Sequence, residues 1–287
     1  MNTFWVICSL IGLILLICIW IIYSDSNRFV VRYYEICNQK VKGNHRYVFV
    51  SDLHNKTYGG DHAKLMYFIR RSRPEAVLIG GDLLIAKPGE DFSSAVDFVR
   101  RLSENGYPVY YANGNHEYRI RIYKETYHTM FEEYERAIAL PGVVRLVDGN
   151  VYLDDANIVI SGLEIEREYY RRFGKPEMTG KYVTAHVGGR REDAFTILLA
   201  HNPEYMDAYA EYGAELVLAG HMHGGVASLP LLGGVISPSF RLFPKYDGGL
   251  FQKDGTQMIV SRGLGMHTIP LRFLNPGELI VLDVKEG

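Results

Sequence analysis

Residues 47–54 read Tyr-Val-Phe-Val-Ser-Asp-Leu-His, and this stretch decides the fold class. Its first four residues are β-branched or aromatic and predict a short buried strand. Asp52 and His54 follow that strand directly, and residues 63–73 have the spacing of an amphipathic helix. Ligand sites in open α/β sheets gather at the carboxyl ends of strands. The stretch therefore predicts an α/β protein with a site at one edge of a sheet.

The same arrangement recurs along the chain. Further short apolar runs predict buried strands at residues 76–80, 109–112, 158–161, 196–200 and 216–219. All of these runs except 158–161 precede a polar cluster. With the first stretch, the clusters are Asp52-Leu53-His54, Gly80-Gly81-Asp82, Gly114-Asn115-His116-Glu117, Ala200-His201-Asn202 and Gly220-His221-Met222-His223-Gly224.

These clusters supply the side chains of a metal site. Carboxylate, amide and imidazole ligands in this mixture suit Mn, Fe, Zn or Co, whereas an all-oxygen set would suit Mg or Ca. An aspartate can bridge two ions with its two oxygens, and a pair of ions about 3.5 to 4 Å apart stabilises both the attacking and the leaving oxygen at phosphorus. The sequence thus predicts two divalent metal ions whose identity stays open.

In their order, the five clusters resemble the calcineurin-like metallophosphoesterase superfamily, whose signature is Asp-x-His, Gly-Asp, Gly-Asn-His-Asp/Glu, a later His and Gly-His-x-His. A single cluster occurs by chance in many proteins, so the resemblance depends on all five and their order. It implies a four-layer fold, in which two mixed β-sheets lie face to face between outer helices. We expect this catalytic domain over residues 44–287.

The resemblance also implies a role for each matching residue. The first metal ion would be held by Asp52, His54 and His223, the second by Asn115, His201 and His221, with Asp82 bridging the two. His116 would be the catalytic residue that contacts phosphate and assists the leaving group, while a hydroxide held by both metals attacks phosphorus. We interpret Glu117 as the residue that orients the His116 imidazole.

The N-terminus predicts a membrane anchor. The twenty residues from Phe4 to Tyr23 carry no charge, which is enough to cross a hydrocarbon layer about 30 Å thick. No Lys or Arg precedes them and no small-residue cleavage pattern follows, so a retained anchor is favoured over a cleaved signal. We expect a single-pass anchor at residues 1–25 and a juxtamembrane segment at 26–43. The basic residues Arg28, Arg32, Lys40 and Lys42 follow the span, which favours a cytoplasmic catalytic domain at the cell membrane.

Composition excludes some partners. The formal net charge of -2 provides no field for a nucleic-acid backbone, and the three cysteines form no disulfide framework. We expect a monomer whose partners are the lipid bilayer and a phosphoester substrate, with no nucleic-acid duplex.

Two segments near the clusters carry open alternatives. Residues 117–181 are rich in charged and aromatic residues with a predicted helix at 126–139, and they form either an insertion that shapes the site or an ordinary surface helix. Lys56 follows the first cluster and faces either phosphate or solvent. His45, His62, His128, His186 and His267 match no cluster and are interpreted as structural or surface residues.

The chain resembles a bacterial membrane-associated branch of this superfamily in its anchor and in residues 220–225, 261–265 and 272–276. That branch resembles lipid-directed pyrophosphohydrolases and phosphodiesterases. We therefore expect hydrolysis of a lipid-linked phosphoester or diphosphate. One alternative is a nucleotide or cyclic-nucleotide phosphodiesterase, in which Tyr118, Tyr123 or Phe243 would stack near the metals. Another is a catalytically silent metal-binding scaffold, which would have no need of His116.

Overall fold

The computed structural model of the chain describes residues 3–229, 233–235, 242–266 and 270–287. Its α-helices are α1 (Thr3–Asn27), α2 (Ala63–Ser72), α3 (Ser93–Glu104), α4 (Asn115–Ile122), α5 (Lys124–Tyr127), α6 (Met130–Ile138), α7 (Gly180–Val187) and α8 (Met206–Tyr212). Its strands are β1 (Phe29–Asn38), β2 (Asn44–Val50), β3 (Ala76–Ile79), β4 (Val109–Ala112), β5 (Val143–Leu146), β6 (Gly149–Leu153), β7 (Ile158–Leu163), β8 (Phe195–Ala200), β9 (Leu216–Ala219), β10 (Ser228–Leu229), β11 (Gly233–Gly234), β12 (Gly249–Lys253), β13 (Thr256–Val260) and β14 (Gly277–Glu286).

The strands form two mixed six-stranded sheets and a short hairpin. The first sheet has the order β1-β14-β2-β3-β4-β5, in which only the β14–β2 pair is antiparallel. The second has the order β12-β13-β9-β8-β7-β6, with antiparallel pairs at its two edges. The strands that carry the predicted clusters are therefore parallel neighbours in the interior of the two sheets.

Side chains on β2 explain how the layers form. Successive residues of a strand point to opposite faces of the sheet. Tyr47 and Phe49 accordingly join the core between the two sheets, whereas Val48 and Val50 join the core that α2, α3 and α6 cover. A third core lies between the second sheet and α7 and α8. The α/β expectation of two sheets between outer helices is confirmed.

One predicted helix is divided in two. The segment 126–139 contains the end of α5 and then α6, because His128 has a positive φ of 50° and a ψ of -119°, which are not helical. A histidine in that conformation ends a helix locally, and no glycine or proline in the segment signals the break.

The N-terminal region contains two elements. Within the described ranges, α1 is the helix that is long and apolar enough to cross a membrane, and its apolar side chains are exposed. Residues 29–38, expected to be juxtamembrane, form β1, which pairs with β14 over its whole length. The first sheet therefore extends closer to the N-terminus than residue 44, because its edge pairing joins strands far apart in the sequence.

Candidate metal centre

The predicted ligands converge at one edge of the two facing sheets. They lie directly after β2, β3, β4, β8 and β9, with Asn115 at the first residue of α4, and hydrogen bonds join the two sheets at this edge. His201 Nδ1 lies 2.7 Å from the Gly80 carbonyl, and the His221 N–H donates to the Asp52 carboxylate at 3.1 Å. Side chains from both sheets thus face a single cleft.

Within this cleft the ligand atoms form three groups. Asp52, His54 and His223 make one group, and Asp82, His201 and His221 make a second, with ligand atoms within 4.8 Å of one another in each. A third group joins Asp82 to His54 and His116. The first two groups coincide with the two metal sites expected from the sequence, apart from Asn115.

The spacing of these atoms fits a shared cation. His54 Nε2 and His223 Nε2 lie 3.2 Å apart, as do His223 Nε2 and Asp52 Oδ1. Two atoms bonded to one ion at about 2.1 Å are separated by about 3.0 to 3.4 Å. The donor set of imidazole nitrogens and carboxylate oxygens, without thiolates, also fits divalent metal binding.

Buried polar atoms point to the same interpretation. Asp82 Oδ2, Asn115 Oδ1 and His201 Nε2 have no hydrogen-bond partner among the described residues. His201 Nε2 lies 3.0 Å from Asp82 Oδ2. Because unsatisfied buried polar atoms are costly, the close approach of these two atoms indicates that a cation completes this site.

Backbone conformation also marks these residues. Five of the predicted ligands adopt the left-handed region that residues other than glycine rarely occupy, namely Asp52, His54, Asp82, His221 and His223, with φ between 48° and 67°. Each such conformation costs about 1–3 kcal/mol and persists where the surrounding structure enforces it. The site therefore holds these loops in strained conformations that lower the stability of the fold.

Two glycines allow the close approach of the loops. Gly81 has a φ of 93°, and a Cβ there would collide with the backbone of Gly114. A Cβ on Gly220 would collide with the Asp52 carboxylate. Glycine is required at both positions because backbone and ligand side chains occupy the space of a methyl group.

Charge within the cleft is balanced between carboxylates and imidazoles. Burial opposes ionisation of Asp52, but His223 and His201 outweigh it and hold the pKa of that carboxyl well below its usual range. Burial likewise opposes protonation of His201, but Asp82 and Asp52 raise its pKa. A divalent cation bound here would replace the proton on His201 as the positive charge that balances the Asp82 and Asp52 carboxylates.

The role expected for Glu117 is wrong. Its side chain is fully buried and accepts hydrogen bonds from the N–H groups of Asp82, Leu83 and Gly114 at 2.8 to 2.9 Å, and from the Tyr111 hydroxyl at 2.8 Å. It therefore fixes the loops after β3 and β4 relative to each other. The sequence offered no signal for this, because the donors are backbone groups.

His116 is oriented by the main chain instead. Its Nδ1 accepts a hydrogen bond from the Ala86 N–H at 2.7 Å, so the neutral imidazole carries its proton on Nε2. That Nε2 lies 3.9 Å from Asp82 Oδ2, on the ligand side of the ring. The hydrogen bond from Ala86 therefore leaves His116 with an Nε2–H that faces the site and can donate a hydrogen bond.

Residues 117–181 do reach the site, through a residue that the sequence did not single out. The ring of Tyr170 packs edge-on against His221, with centroids 5.0 Å apart, and lies 6.4 Å from the His201 ring. Tyr118 and Tyr123, expected as candidates for stacking, contact the side chains of Arg121 and Arg167 instead, and Phe243 is exposed.

Lys56 has neither of its two expected roles. Its Nζ donates a hydrogen bond to the Ser26 carbonyl at the end of α1, at 2.6 Å. Among the histidines set aside, His45, His62 and His186 bond to Glu75, Ser94 and Asp148 respectively, away from the ligand groups. His267 lies outside the described residues.

Comparisons with known proteins agree with this geometry. Residues 45–225 match the family model described as calcineurin-like phosphoesterase. The chain is 28% identical over 242 residues to the uncharacterized metallophosphoesterase YkuE of Bacillus subtilis, covering 82% of this chain and 77% of that protein. It is 29% identical over 229 residues to an uncharacterized metallophosphoesterase of Helicobacter pylori, covering 75% and 52% respectively. It is 26% identical over 252 residues to a Danio rerio protein called transmembrane protein with metallophosphoesterase domain, covering 84% and 53%.

The family match includes all of the predicted ligand positions and more than half of the chain. Together with the ligand groups around Asp82, it shows that the chain belongs to the calcineurin-like phosphoesterase family and is a metal-dependent phosphoester hydrolase.

Proposed function

We propose that the chain is a membrane-anchored enzyme that uses two divalent ions, of the Mn, Fe, Zn or Co type, to hydrolyse a phosphodiester or diphosphate bond in a lipid-linked substrate. The observation that carries the proposal is the position of Asp82, which belongs both to the group with His201 and His221 and to the group with His54 and His116. A carboxylate shared in this way suits a bridge between two ions.

Each side chain then has a defined part in the reaction. Asp52, His54 and His223 would hold one ion, Asn115, His201 and His221 would hold the other, and Asp82 would contribute to both. When bound, the ions lower the pKa of water and neutralise charge on the phosphate. The Nε2–H of His116 can donate a hydrogen bond to the leaving oxygen as negative charge develops on it, and the Ala86 N–H keeps the ring in the tautomer that carries this proton.

The lipid-linked part of the proposal rests on the anchor. The apolar helix α1 ends next to the loop that follows Asp52 and His54, since Ser26 at its end accepts a hydrogen bond from Lys56. A catalytic centre held at a bilayer meets lipid-linked phosphates at a high effective concentration. The relative from Danio rerio is named as a transmembrane protein, which supports an anchored arrangement.

A substrate panel tests the choice of substrate. With the full chain in detergent micelles, we expect kcat/KM to be higher for lipid diphosphates and lipid phosphodiesters than for soluble nucleotides and cyclic nucleotides. A clear preference for the soluble compounds would instead favour the nucleotide phosphodiesterase, for which Tyr170 beside His221 offers an aromatic surface.

We also propose that the catalytic domain faces the cytoplasm, because basic residues follow α1. Cys37 is exposed on β1 and reports the side directly. A membrane-impermeant maleimide should label Cys37 only after the cells are opened. Labelling of Cys37 in intact cells would place the domain outside.

A further inference from the structure

The end of α1 is attached rigidly to the catalytic domain. The helix ends at Asn27 and β1 begins at Phe29, so a single residue separates them. Asp25 and Ser26 are 2% and 7% exposed, in contrast to the apolar residues before them. A helix that enters the domain in this way holds it in one orientation and does not act as a flexible tether.

Residues 271–276, named here the lipid-facing loop, provide much of this attachment. The Arg272 N–H donates to the Ser26 hydroxyl and the Asn275 N–H donates to the Asp25 carboxylate, both at 3.0 Å. Both hydrogen bonds are buried. The position of the lipid-facing loop relative to α1 is therefore fixed.

Leu274 in this loop shares a cavity with the last turns of α1. Leu274 and Pro276 line a cavity of about 470 Å³ together with Trp20 and Ile21. Trp20 precedes Asp25 by five residues, or about 7.5 Å along the helix axis. If α1 crosses the bilayer, this cavity extends from the depth of Arg28 to that of Trp20, a residue type typical of the membrane interface, and Leu274 faces it.

The exposed side chains around Leu274 have the chemistry of a lipid-contacting surface. Leu274 is 39% exposed and has a φ of 52°, which a leucine adopts only when its surroundings require it. Leu229, 37% exposed, lines a neighbouring cavity of about 550 Å³ with Leu274 and Arg262. Asp247 lines the same cavity, and the Arg262 side chain is 20% exposed, with its Nε 4.0 Å from Glu278 Oε2. The two leucine side chains match the acyl chains of a bilayer, and the exposed part of the guanidinium matches its phosphates.

The same loop touches the metal centre. The Asn275 side-chain amide donates to the carbonyls of His223 and Gly225, both at 2.7 Å. The Arg272 guanidinium donates to the Gly265 carbonyl, and the Gly265 N–H donates to the Asp52 carbonyl. Residues on either side of Leu274 thus support loops that carry predicted ligands.

We propose that the lipid-facing loop and Leu229 form a second membrane contact beside α1, in which Leu274 and Leu229 enter the headgroup region and Arg262 faces lipid phosphate. The metal centre is thereby held at the bilayer surface, open to the phosphate of a lipid. This inference rests on the proposed membrane anchorage, and it adds a lipid-binding surface of the catalytic domain itself.

Fluorescence quenching by brominated lipids tests the contact. Both native tryptophans of the full chain are first removed by Trp5→Phe and Trp20→Phe. A single new tryptophan is then introduced by Leu274→Trp in one variant and by Leu229→Trp in another. Each variant is reconstituted into vesicles of phosphatidylcholine brominated near the glycerol end of its acyl chains. Both new tryptophans should lose much of their fluorescence relative to vesicles without bromine. Circular dichroism checks that each variant folds. If the Leu274→Trp variant does not fold, the Leu229→Trp variant alone decides the test.

Two controls separate this inference from the anchorage on which it rests. Val144→Trp places a tryptophan on β5, five strand spacings or about 24 Å from β1, and should not be quenched. In a chain with Trp5→Phe alone, the fluorescence comes from Trp20 and should be quenched if α1 is inserted. Quenching of Trp20 without quenching at positions 274 and 229 would overturn the second contact and leave the anchor standing. An unquenched Trp20 would overturn both.

Discussion

Replacing Asp82 with asparagine is expected to lower kcat for bis(4-nitrophenyl) phosphate by more than about 100-fold, because a loss of 10- to 100-fold is usual for residues that merely support a metal ligand. Asp82 Oδ2 lies 3.0 Å from His201 Nε2 and 4.0 Å from His54 Nε2, whereas Oδ1 accepts the His116 N–H. Asparagine keeps the size of the side chain but removes the charge that both ligand groups share. Metal content per chain should fall together with kcat.

The matched comparison is His116→Gln. A glutamine amide cannot reproduce the position and strength of the imidazole N–H donor, so we expect metal content close to that of the wild type and a kcat that falls by about 10²- to 10³-fold for substrates with a poor leaving group. Elemental analysis and steady-state kinetics distinguish the two variants. An Asp82→Asn protein with the metal content and kcat of the wild type would refute the role of Asp82.

Of the substitutions considered, Glu117→Ala should lower the free energy of unfolding most, by roughly 3–5 kcal/mol. This value lies at the upper end of the range for single substitutions. The substitution leaves three buried backbone N–H groups and the Tyr111 hydroxyl without their carboxylate acceptor. Those N–H groups belong to the loops that carry Asp82 and Asn115. The variant should therefore also bind metal more weakly than the wild type.

Chemical unfolding of the full chain in one detergent, followed by circular dichroism, measures this effect. Glu125→Ala is a suitable control, since Glu125 is exposed and its removal should change stability by no more than about 0.5 kcal/mol. Equal unfolding midpoints for the two variants would contradict the bridging role of Glu117.

The positions of the candidate ligands could be predicted because each follows a strand whose apolar pattern is local. Asp52 and His221 come directly after short buried runs, and parallel strands bring their carboxyl ends to one edge whatever the loops between them do. The family resemblance then placed all of them except Asn115 in two of the three groups that the described residues form. Asn115 precedes His116 in the sequence, and its buried Oδ1 has no hydrogen-bond partner among the described residues.

Features that depend on distant parts of the chain were not predictable in this way. β1 reads as a polar, aromatic juxtamembrane segment until its partner β14 is known, about 250 residues later. The roles of Glu117 and Lys56 depend on backbone groups, which carry no residue-specific signal. Tyr170 was one of several tyrosines in residues 117–181, and only the folded chain places it beside His221.

Reconstitution with metal tests the central claim most directly. The purified full chain is stripped with a chelator, reloaded separately with Mn, Fe, Zn or Co, and assayed with bis(4-nitrophenyl) phosphate beside the Asp82→Asn variant. We expect no turnover without metal, turnover with at least one of the four ions, and little with the variant. A chain that binds these ions at the predicted ligands but turns over no phosphoester with any of them would show a metal-binding scaffold and contradict the assignment as a hydrolase.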